Sequence, residues 1–170
     1  MQWIIKTVEI SITCLAPASL LAWGMCCALL DARQRRISNV LTLGCGAVAT
    51  AFLIWTGHSF TGVTPGPVML GLLLALLLSL PGYIGGRMGA GDVKLLAALA
   101  LASSPLHVLG TVAGAAVAML TWALAGPFIW RRLPPSSRYH LAMMDPANRN
   151  RLPYAPFFFC GLLASILWLH

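Results

Sequence analysis

The sequence predicts an all-α membrane protein that crosses the bilayer six times, and three observations lead to this fold class. Hydrophobic residues make up 59% of the 170 residues and charged residues only 9%. A soluble core cannot bury that much apolar surface. Apolar runs long enough to cross a hydrocarbon layer of ~30 Å recur along the chain, and the basic residues cluster in alternate connectors. We therefore expect a single transmembrane domain over residues 1–170.

Six apolar segments follow one another, and each predicts one transmembrane helix. The first has only Lys6 before it and no clear small-residue cleavage site, so we expect a retained helix rather than a signal peptide. The fourth is the shortest and opens on an aspartate. The segments are Val8 to Leu30, Asn39 to Trp55, Pro67 to Ile84, Asp92 to Ala102, Pro105 to Trp130 and Pro153 to Leu169.

The basic residues predict the orientation. With six spans, ten of the eleven Lys and Arg residues lie on one side, which the positive-inside rule assigns to the cytoplasm. The predicted cytoplasmic connectors are then residues 31–38, 86–91 and 131–152, and both termini face the opposite side. The ten cations are Arg33, Arg35, Arg36, Arg87, Lys94, Arg131, Arg132, Arg138, Arg149 and Arg151.

Composition also excludes several kinds of site. The net charge of +7 does not predict nucleic-acid binding, because the cations form no continuous stripe with interleaved aromatic residues. The five cysteines lie in apolar segments without a C-x-x-C pair or a histidine at ligand spacing, so no metal site or cofactor is predicted. We expect small, buried, reduced side chains at Cys14, Cys26, Cys27, Cys45 and Cys160.

The chain has four acidic residues, and two of them, Asp31 and Asp92, fall at predicted cytoplasmic helix ends. Carboxylates at membrane depth are costly, so a pair of them indicates function. When two carboxylates share one proton, one can act as general base and the other as general acid. Together they can hydrolyse a peptide without a metal. Helix ends predict an asymmetry: Asp92, at an N-terminus, favours the anion, whereas Asp31, at a C-terminus, favours the protonated form.

Each of these residues also has a purely structural explanation. Asp92 follows Gly89-Ala90-Gly91 and could be a helix N-cap. Asp31 could be an interfacial residue neutralised by the arginines that follow it. Lys94 fits a juxtamembrane anchor and could also tune the nearby carboxylate. The glycines between residues 82 and 91 predict either a surface for a substrate strand or a hairpin with close helix packing.

Three stretches of the chain resemble signatures of the prepilin peptidases, a family of membrane aspartyl proteases. Gly89-Ala90-Gly91-Asp92, followed by Val93-Lys94, resembles the family's Gly-x-Gly-Asp motif. Asp31 is followed by Ile37-Ser38-Asn39, which is similar to the family's Ile-Pro-Asn with serine in place of proline. The stretch Leu152-Pro153-Tyr154-Ala155-Pro156-Phe157 resembles the opening of the family's last helix.

The resemblance implies that Asp31 and Asp92 are the catalytic pair and that Gly89 and Gly91 shape the site. Lys94 and Asn39 are further candidates for binding substrate or shaping the site. The implied substrate is a pilin or pseudopilin precursor, cut at the cytoplasmic face of the bacterial inner membrane between a short basic leader and its hydrophobic helix. Both termini would then be periplasmic.

The size of the chain resembles the short peptidases of tight-adherence (Flp-type) pilus systems. Larger family members carry a cytoplasmic domain with two C-x-x-C pairs and methylate the new N-terminus. This sequence lacks that domain, so methyl transfer is not expected.

Two other functions fit the same residues. A small proton- or cation-coupled transporter would use Asp31 and Asp92 as its ion site and would show ion flux in liposomes. A non-catalytic membrane subunit of a pilus or secretion assembly would use them as helix caps, and asparagine at both positions would leave it functional.

Overall fold

A computed structural model of the chain describes residues 2–34, 37–134, 144–145 and 152–169, with side chains in the first helix described from Ala16 onward. Arg35, Arg36, Arg138, Arg149, Arg151 and both chain ends, which the topology prediction used, lie outside the described residues. The described residues form six α-helices, which confirms the all-α prediction. They are α1 (Gln2–Gln34), α2 (Asn39–Thr56), α3 (Pro65–Ile84), α4 (Ala90–Ala102), α5 (Pro105–Arg132) and α6 (Ala155–Leu169).

Three of the described helices, α2, α3 and α5, are long and apolar enough to cross a membrane, and α6 is a shorter apolar helix. Their outer faces carry large apolar side chains that the protein does not cover. Trp55, Ile84 and Trp168 are 91%, 82% and 88% exposed. Such exposure would be unfavourable in water, because each side chain gains roughly 1.5–3 kcal/mol on leaving it. The outer surface therefore suits hydrocarbon.

The ends of two helices differ from the prediction. α1 continues four residues past Leu30 to Gln34, so Asp31 lies inside the helix rather than just after it. α4 begins at Ala90 and its N-cap is Gly89, so Asp92 is the third residue of the helix and its N-cap interpretation is wrong. The side chain of Asp92 instead reaches back to the N-cap, as acidic residues at this position commonly do.

The shortest helix, α4, is the centre of the bundle. Leu95, Leu96 and Leu99 are fully or almost fully buried, as are three of the alanines in this helix: Ala98, Ala100 and Ala102. α4 packs against α2, α3 and α5, and α6 packs between α1 and α5. A helix that is apolar on every side belongs in a core. The N-termini of α4 and α6 are therefore positioned by the best-packed part of the molecule.

The connector between α3 and α4 is a tight turn. Gly86 adopts a left-handed conformation with φ of 67°, and its amide donates to the carbonyl of Tyr83 at 3.0 Å. The amides of Arg87 and Met88 both donate to the carbonyl of Gly82. A residue with a Cβ would be strained at Gly86. This turn fixes the direction in which the chain enters α4.

The expectation that the cysteines are buried is correct for Cys27 and wrong for Cys26 and Cys160, which are exposed. Cys26 and Cys27 are consecutive on α1, so their side chains point about 100° apart and only one can face the core. Cys45 is half-buried, and these four described cysteines are free thiols. Cys14 lies outside the described side chains.

Candidate active site

A cavity of about 570 Å³ lies where three helix ends meet: the last turn of α1, the start of α4 and the segment that leads into α6. The sequence predicted six site residues, and all six line this cavity. The loop residue Arg87 and Tyr154, which were not among them, also line it. The six predicted residues are Asp31, Asn39, Gly89, Gly91, Asp92 and Lys94.

Asp31 is held by the start of α6. Its side chain is only 5% exposed, and Oδ2 accepts a hydrogen bond of 3.0 Å from the backbone N–H of Ala155, the first residue of α6. The two residues are 124 positions apart in the chain. An amide at a helix N-terminus favours a negative charge on its partner. The carboxylate of Asp31 therefore depends on the position of α6 as well as on α1.

Asp92 is held by the start of its own helix. Its Oδ2 accepts a hydrogen bond of 3.0 Å from the backbone N–H of Gly89. Both aspartates therefore lie at helix N-termini, Asp92 at α4 and Asp31 at α6. The helix-end argument considered only the C-terminus of α1 for Asp31, whereas the N-terminus of α6 also faces this carboxylate.

The Gly-x-Gly-Asp motif with its following Lys94 and the Ile37-Ser38-Asn39 stretch meet at the cavity. Nζ of Lys94 donates a hydrogen bond of 2.9 Å to Oδ1 of Asn39, which joins α4 to the first residue of α2. A Cβ placed on Gly91 would lie 3.8 Å from Cβ of Ile37, so these two backbones approach closely. Ser38 is the N-cap of α2, and its hydroxyl accepts from the amide of Val40. Serine at the usual proline position thus serves to start the helix.

Tyr154, in the third motif, lines the cavity together with both aspartates, and sequence reasoning did not single it out. It immediately precedes α6, and its carbonyl accepts the amides of Phe157 and Phe158 at 3.0 Å each. Burial, and then the neighbouring Asp92 carboxylate, raise the pKa of its phenol above the ordinary value. The signal that could have found it was its place inside the stretch that resembles the opening of the family's last helix.

Two aromatic contacts connect Tyr154, at the cavity, to the buried core. The rings of Tyr154 and Phe158 pack with their centroids 6.4 Å apart, and Phe158 meets the edge of Trp23 at 6.0 Å. Nε1 of Trp23 donates to the carbonyl of Leu41 at 2.9 Å. Residues from α1, α2 and α6 therefore hold one another in place next to Tyr154, which lines the cavity.

The polar groups of the site are suited to acid–base chemistry. Two carboxylates, two cations and a phenol line a single cavity. Among the residues that the structure describes, no three His, Cys, Asp or Glu side chains gather in a group that could hold a metal ion.

Comparison with known proteins gives one match. The model of the type IV leader peptidase family matches residues 18–124, a range that includes both aspartates and the Gly-x-Gly-Asp motif. The stretch from Leu152 to Phe157 lies beyond the matched range. No curated protein and no solved structure matches the chain.

Proposed function

This chain belongs to the type IV leader peptidase family, and from that membership we propose that it is an aspartic endopeptidase in which Asp31 and Asp92 are the catalytic pair. The substrate would be the precursor of a type IV, Flp-type or related pilin. Its short basic leader would be removed at the cytoplasmic face of the inner membrane.

The observation that carries the proposal is the convergence of three separate stretches of sequence on one cavity. Asp31 lies near the start of the chain, Asp92 near its middle and Tyr154 near its end, and all three line the cavity. Helix capping alone would account for each aspartate by itself. It would give no reason for two carboxylates from different helices to share one polar space, which is costly unless it is used.

The geometry supports a two-carboxylate mechanism. One carboxylate, in its ionised form, takes a proton from a water molecule, which then attacks the scissile carbonyl carbon. The other, protonated, donates a hydrogen bond to the carbonyl oxygen as negative charge develops there. Collapse of the tetrahedral intermediate breaks the C–N bond, and the leaving amine takes up the proton. No covalent bond forms between the peptide and the enzyme at any step.

The direct test is cleavage by the purified protein. It is incubated in detergent or liposomes with a pilin precursor encoded in the same genome, and the new N-terminus is read by sequencing. We expect a single cut between the basic leader and the hydrophobic helix, without any ion gradient. Ion flux in liposomes with no cleavage would favour the transporter instead.

The same reaction mixture tests the absence of methyl transfer. With a methyl donor added, the mature pilin is expected to keep the mass of its unmodified N-terminus. A gain of one methyl group that depends on this protein would contradict the proposal.

The proposed topology has six spans, periplasmic termini and a cytoplasmic site. A periplasm-active reporter fused after His170 is expected to be active, and the same reporter placed after Arg87 is expected to be inactive. The physical reason is the concentration of Lys and Arg in the connectors on one side. A cytoplasm-active reporter that works at His170 would contradict the six-span arrangement.

We further propose that Lys94 and Asn39 shape the site by joining α4 to α2. Residues two apart on a helix point in different directions, so Lys94 reaches α2 while Asp92 keeps its own amide partner. The cation would also balance part of the negative charge in the cavity without pairing directly with the capping oxygen of Asp92.

Gly89 and Gly91 are expected to respond differently to alanine. A Cβ on Gly89 would lie 3.3 Å from Oδ2 of Asp92 and would push the carboxylate aside. Since a misplacement of about 1 Å can cost about 100-fold, we expect Gly89→Ala to lower kcat about tenfold. A Cβ on Gly91 meets Ile37 at ordinary contact distances. Gly91→Ala is therefore the matched control and should keep kcat, with any loss confined to KM.

Kinetics of precursor cleavage measure both variants. A kcat for Gly89→Ala equal to that of the parent would mean that the position of the Asp92 carboxylate does not limit the reaction.

A further inference from the structure

We propose that the apolar helix of the substrate binds in a groove between α1 and α2, on the lipid-facing side of the bundle, with the scissile bond in the cavity at the end of that groove. The inference rests on the proposed aspartyl-protease function. It deepens that function by assigning the surface along which a membrane-embedded precursor reaches the two carboxylates.

The helices α1 and α2 are consecutive in the chain but pack against different neighbours. Among the described residues, α1 lies mainly against α6 and α2 mainly against α4, and the two have no comparable contact with each other. Both nevertheless reach the cavity. Asp31 and Gln34 line it from the last turn of α1, and Asn39 lines it as the first residue of α2. The cavity therefore lies at the end of a groove whose two walls are not packed together.

The indole of Trp23 forms the floor of this groove. Its Nε1 donates a hydrogen bond of 2.9 Å from α1 to the carbonyl of Leu41 on α2. The edge of the same ring meets Phe158, which is completely buried, with the ring centroids 6.0 Å apart. Trp23 thus bridges the two helices on the core side of the groove and leaves the side toward lipid open.

Exposed side chains flank the groove on its lipid side. Cys26 comes three residues after Trp23 on α1, and Val48 comes seven residues after Leu41 on α2. Residues at these spacings share a helix face, so both lie beside the floor of the groove. Cys26 is an exposed free thiol and Val48 is 61% exposed. These uncharged walls suit an apolar helix and not a basic leader.

The chemistry of the substrate selects the occupant of the groove. The scissile bond lies where the leader ends and the apolar helix begins, so a precursor bound at the cavity must pass its helix into the bilayer from there. About 20 apolar residues cross a hydrocarbon layer of ~30 Å. The 18 residues of α2 extend roughly 27 Å from the cavity residue Asn39. The groove is therefore as long as the helix that it would hold.

The first test is disulfide cross-linking to the thiols that the chain already has. Cys26 lies five residues before Asp31, and Cys160 lies five residues after Ala155, whose amide contacts Asp31. Both exposed thiols are therefore about 7.5 Å along a helix from the same level of the site. Cys26 flanks the groove, whereas Cys160 is on α6 and serves as the matched control.

The probe is a synthetic precursor peptide with a basic leader, an apolar helix and one cysteine in the second turn of that helix. It is reconstituted in liposomes with the Asp92→Asn protein, in which all cysteines except Cys26, or all except Cys160, are replaced by alanine. Binding in the groove raises the local concentration of the peptide thiol at Cys26 only. With a mild oxidant we expect the peptide to join Cys26 at least about tenfold faster than Cys160.

The second test fills the groove without touching the cavity. Val48→Trp places a large side chain on the α2 wall, and Val117→Trp is the matched control, because Val117 is 64% exposed on α5. Loss of binding that is equal in the ground state and the transition state raises KM and leaves kcat unchanged. We expect KM of Val48→Trp to rise at least about fivefold and that of Val117→Trp to stay within about twofold of the parent.

Three results would overturn the inference. The first is equal cross-linking of Cys26 and Cys160, which random collision in the lipid would give. The second is a Val48→Trp enzyme with the KM of the parent. The third is efficient joining of Cys26 to Cys26 of another copy without peptide, which would assign the groove to a dimer. If the parent enzyme cleaves the precursor while any of these is observed, only the groove fails; a parent enzyme that never cleaves it would remove the proposed function itself.

Discussion

Asparagine at Asp31 or at Asp92 is expected to abolish leader removal, and the double replacement is expected to be no more severe than either single one. Each carboxylate has a role only while the other is present, since one acts as base and the other as acid in the same step. Residues that act as one unit lose function non-additively. We expect each variant to fall on the order of 10⁴-fold or more in kcat, measured as the rate of precursor cleavage.

Asparagine separates catalysis from stability at both positions. Its side-chain carbonyl can accept the amide of Ala155 in place of Asp31, or the amide of Gly89 in place of Asp92. The capping contacts therefore survive in large part, whereas loss of a cap altogether would cost about 0.5–2 kcal/mol. Both variants should accumulate in the membrane and unfold close to the temperature of the parent.

Asp145→Asn is the internal control. It removes the same charge from the connector before α6, outside the cavity, and should cleave nearly as fast as the parent. If Asp92→Asn accumulates normally and processes precursor at the parental rate, the aspartyl-protease proposal fails. The assembly-subunit or transporter function would then account better for the two aspartates.

The sequence predicted the helices well because their apolar runs are uninterrupted and bounded by glycine, proline and serine. Their ends were less predictable. Apolar runs show where a helix enters hydrocarbon, but backbone hydrogen bonds decide where it stops. α1 therefore continues past its apolar run to Gln34, and α4 starts at Ala90 because Gly89 is extended and Asp92 caps it from the third position.

The sequence motifs led to residues that line one cavity, but they did not predict the contacts between those residues. The motifs identify Asp31 and Asp92, but nothing in them places the amide of Ala155 on a carboxylate 124 residues earlier. That contact depends on how α6 packs against α1, and this tertiary arrangement leaves no periodic pattern in the amino-acid sequence. The reasoning from helix ends was incomplete for the same reason, because it considered only the helix to which Asp31 belongs and not the N-terminus of α6.

The glycines of α5 and α6 were also overlooked, although they allow these two helices to pack closely. Gly114 and Gly161 face each other where the two helices cross, and a Cβ on Gly114 would lie 2.7 Å from the Cα of Gly161. In a membrane protein, small residues allow backbones to approach when apolar burial offers no advantage over lipid. Isolated glycines in long apolar runs carry no such meaning until the neighbouring helix is known.

Gly161→Ala is accordingly expected to destabilise the protein more than other glycine replacements in the described helices. The new Cβ would overlap the carbonyl oxygen of Thr111 and would lie 2.6 Å from the amide nitrogen of Ala115. Both obstacles are backbone atoms of α5, which cannot rotate away as a side chain can. Overpacking usually costs about 1–3 kcal/mol, and we expect a cost at or above the upper end of that range, measured as unfolding in detergent.

Gly44→Ala provides the matched comparison. Gly44 lies within α2, and a Cβ there would meet only Cγ1 of Val40 at 4.0 Å, so alanine should be neutral or stabilising by up to about 1 kcal/mol. Gly161→Ala should also lose cleavage per folded molecule, because moving α6 away from α5 shifts the Ala155 amide that holds Asp31. A Gly161→Ala protein that unfolds at the parental temperature and cleaves at the parental rate would show that α6 can move without disturbing the carboxylate, and the role assigned to its N-terminus would be wrong.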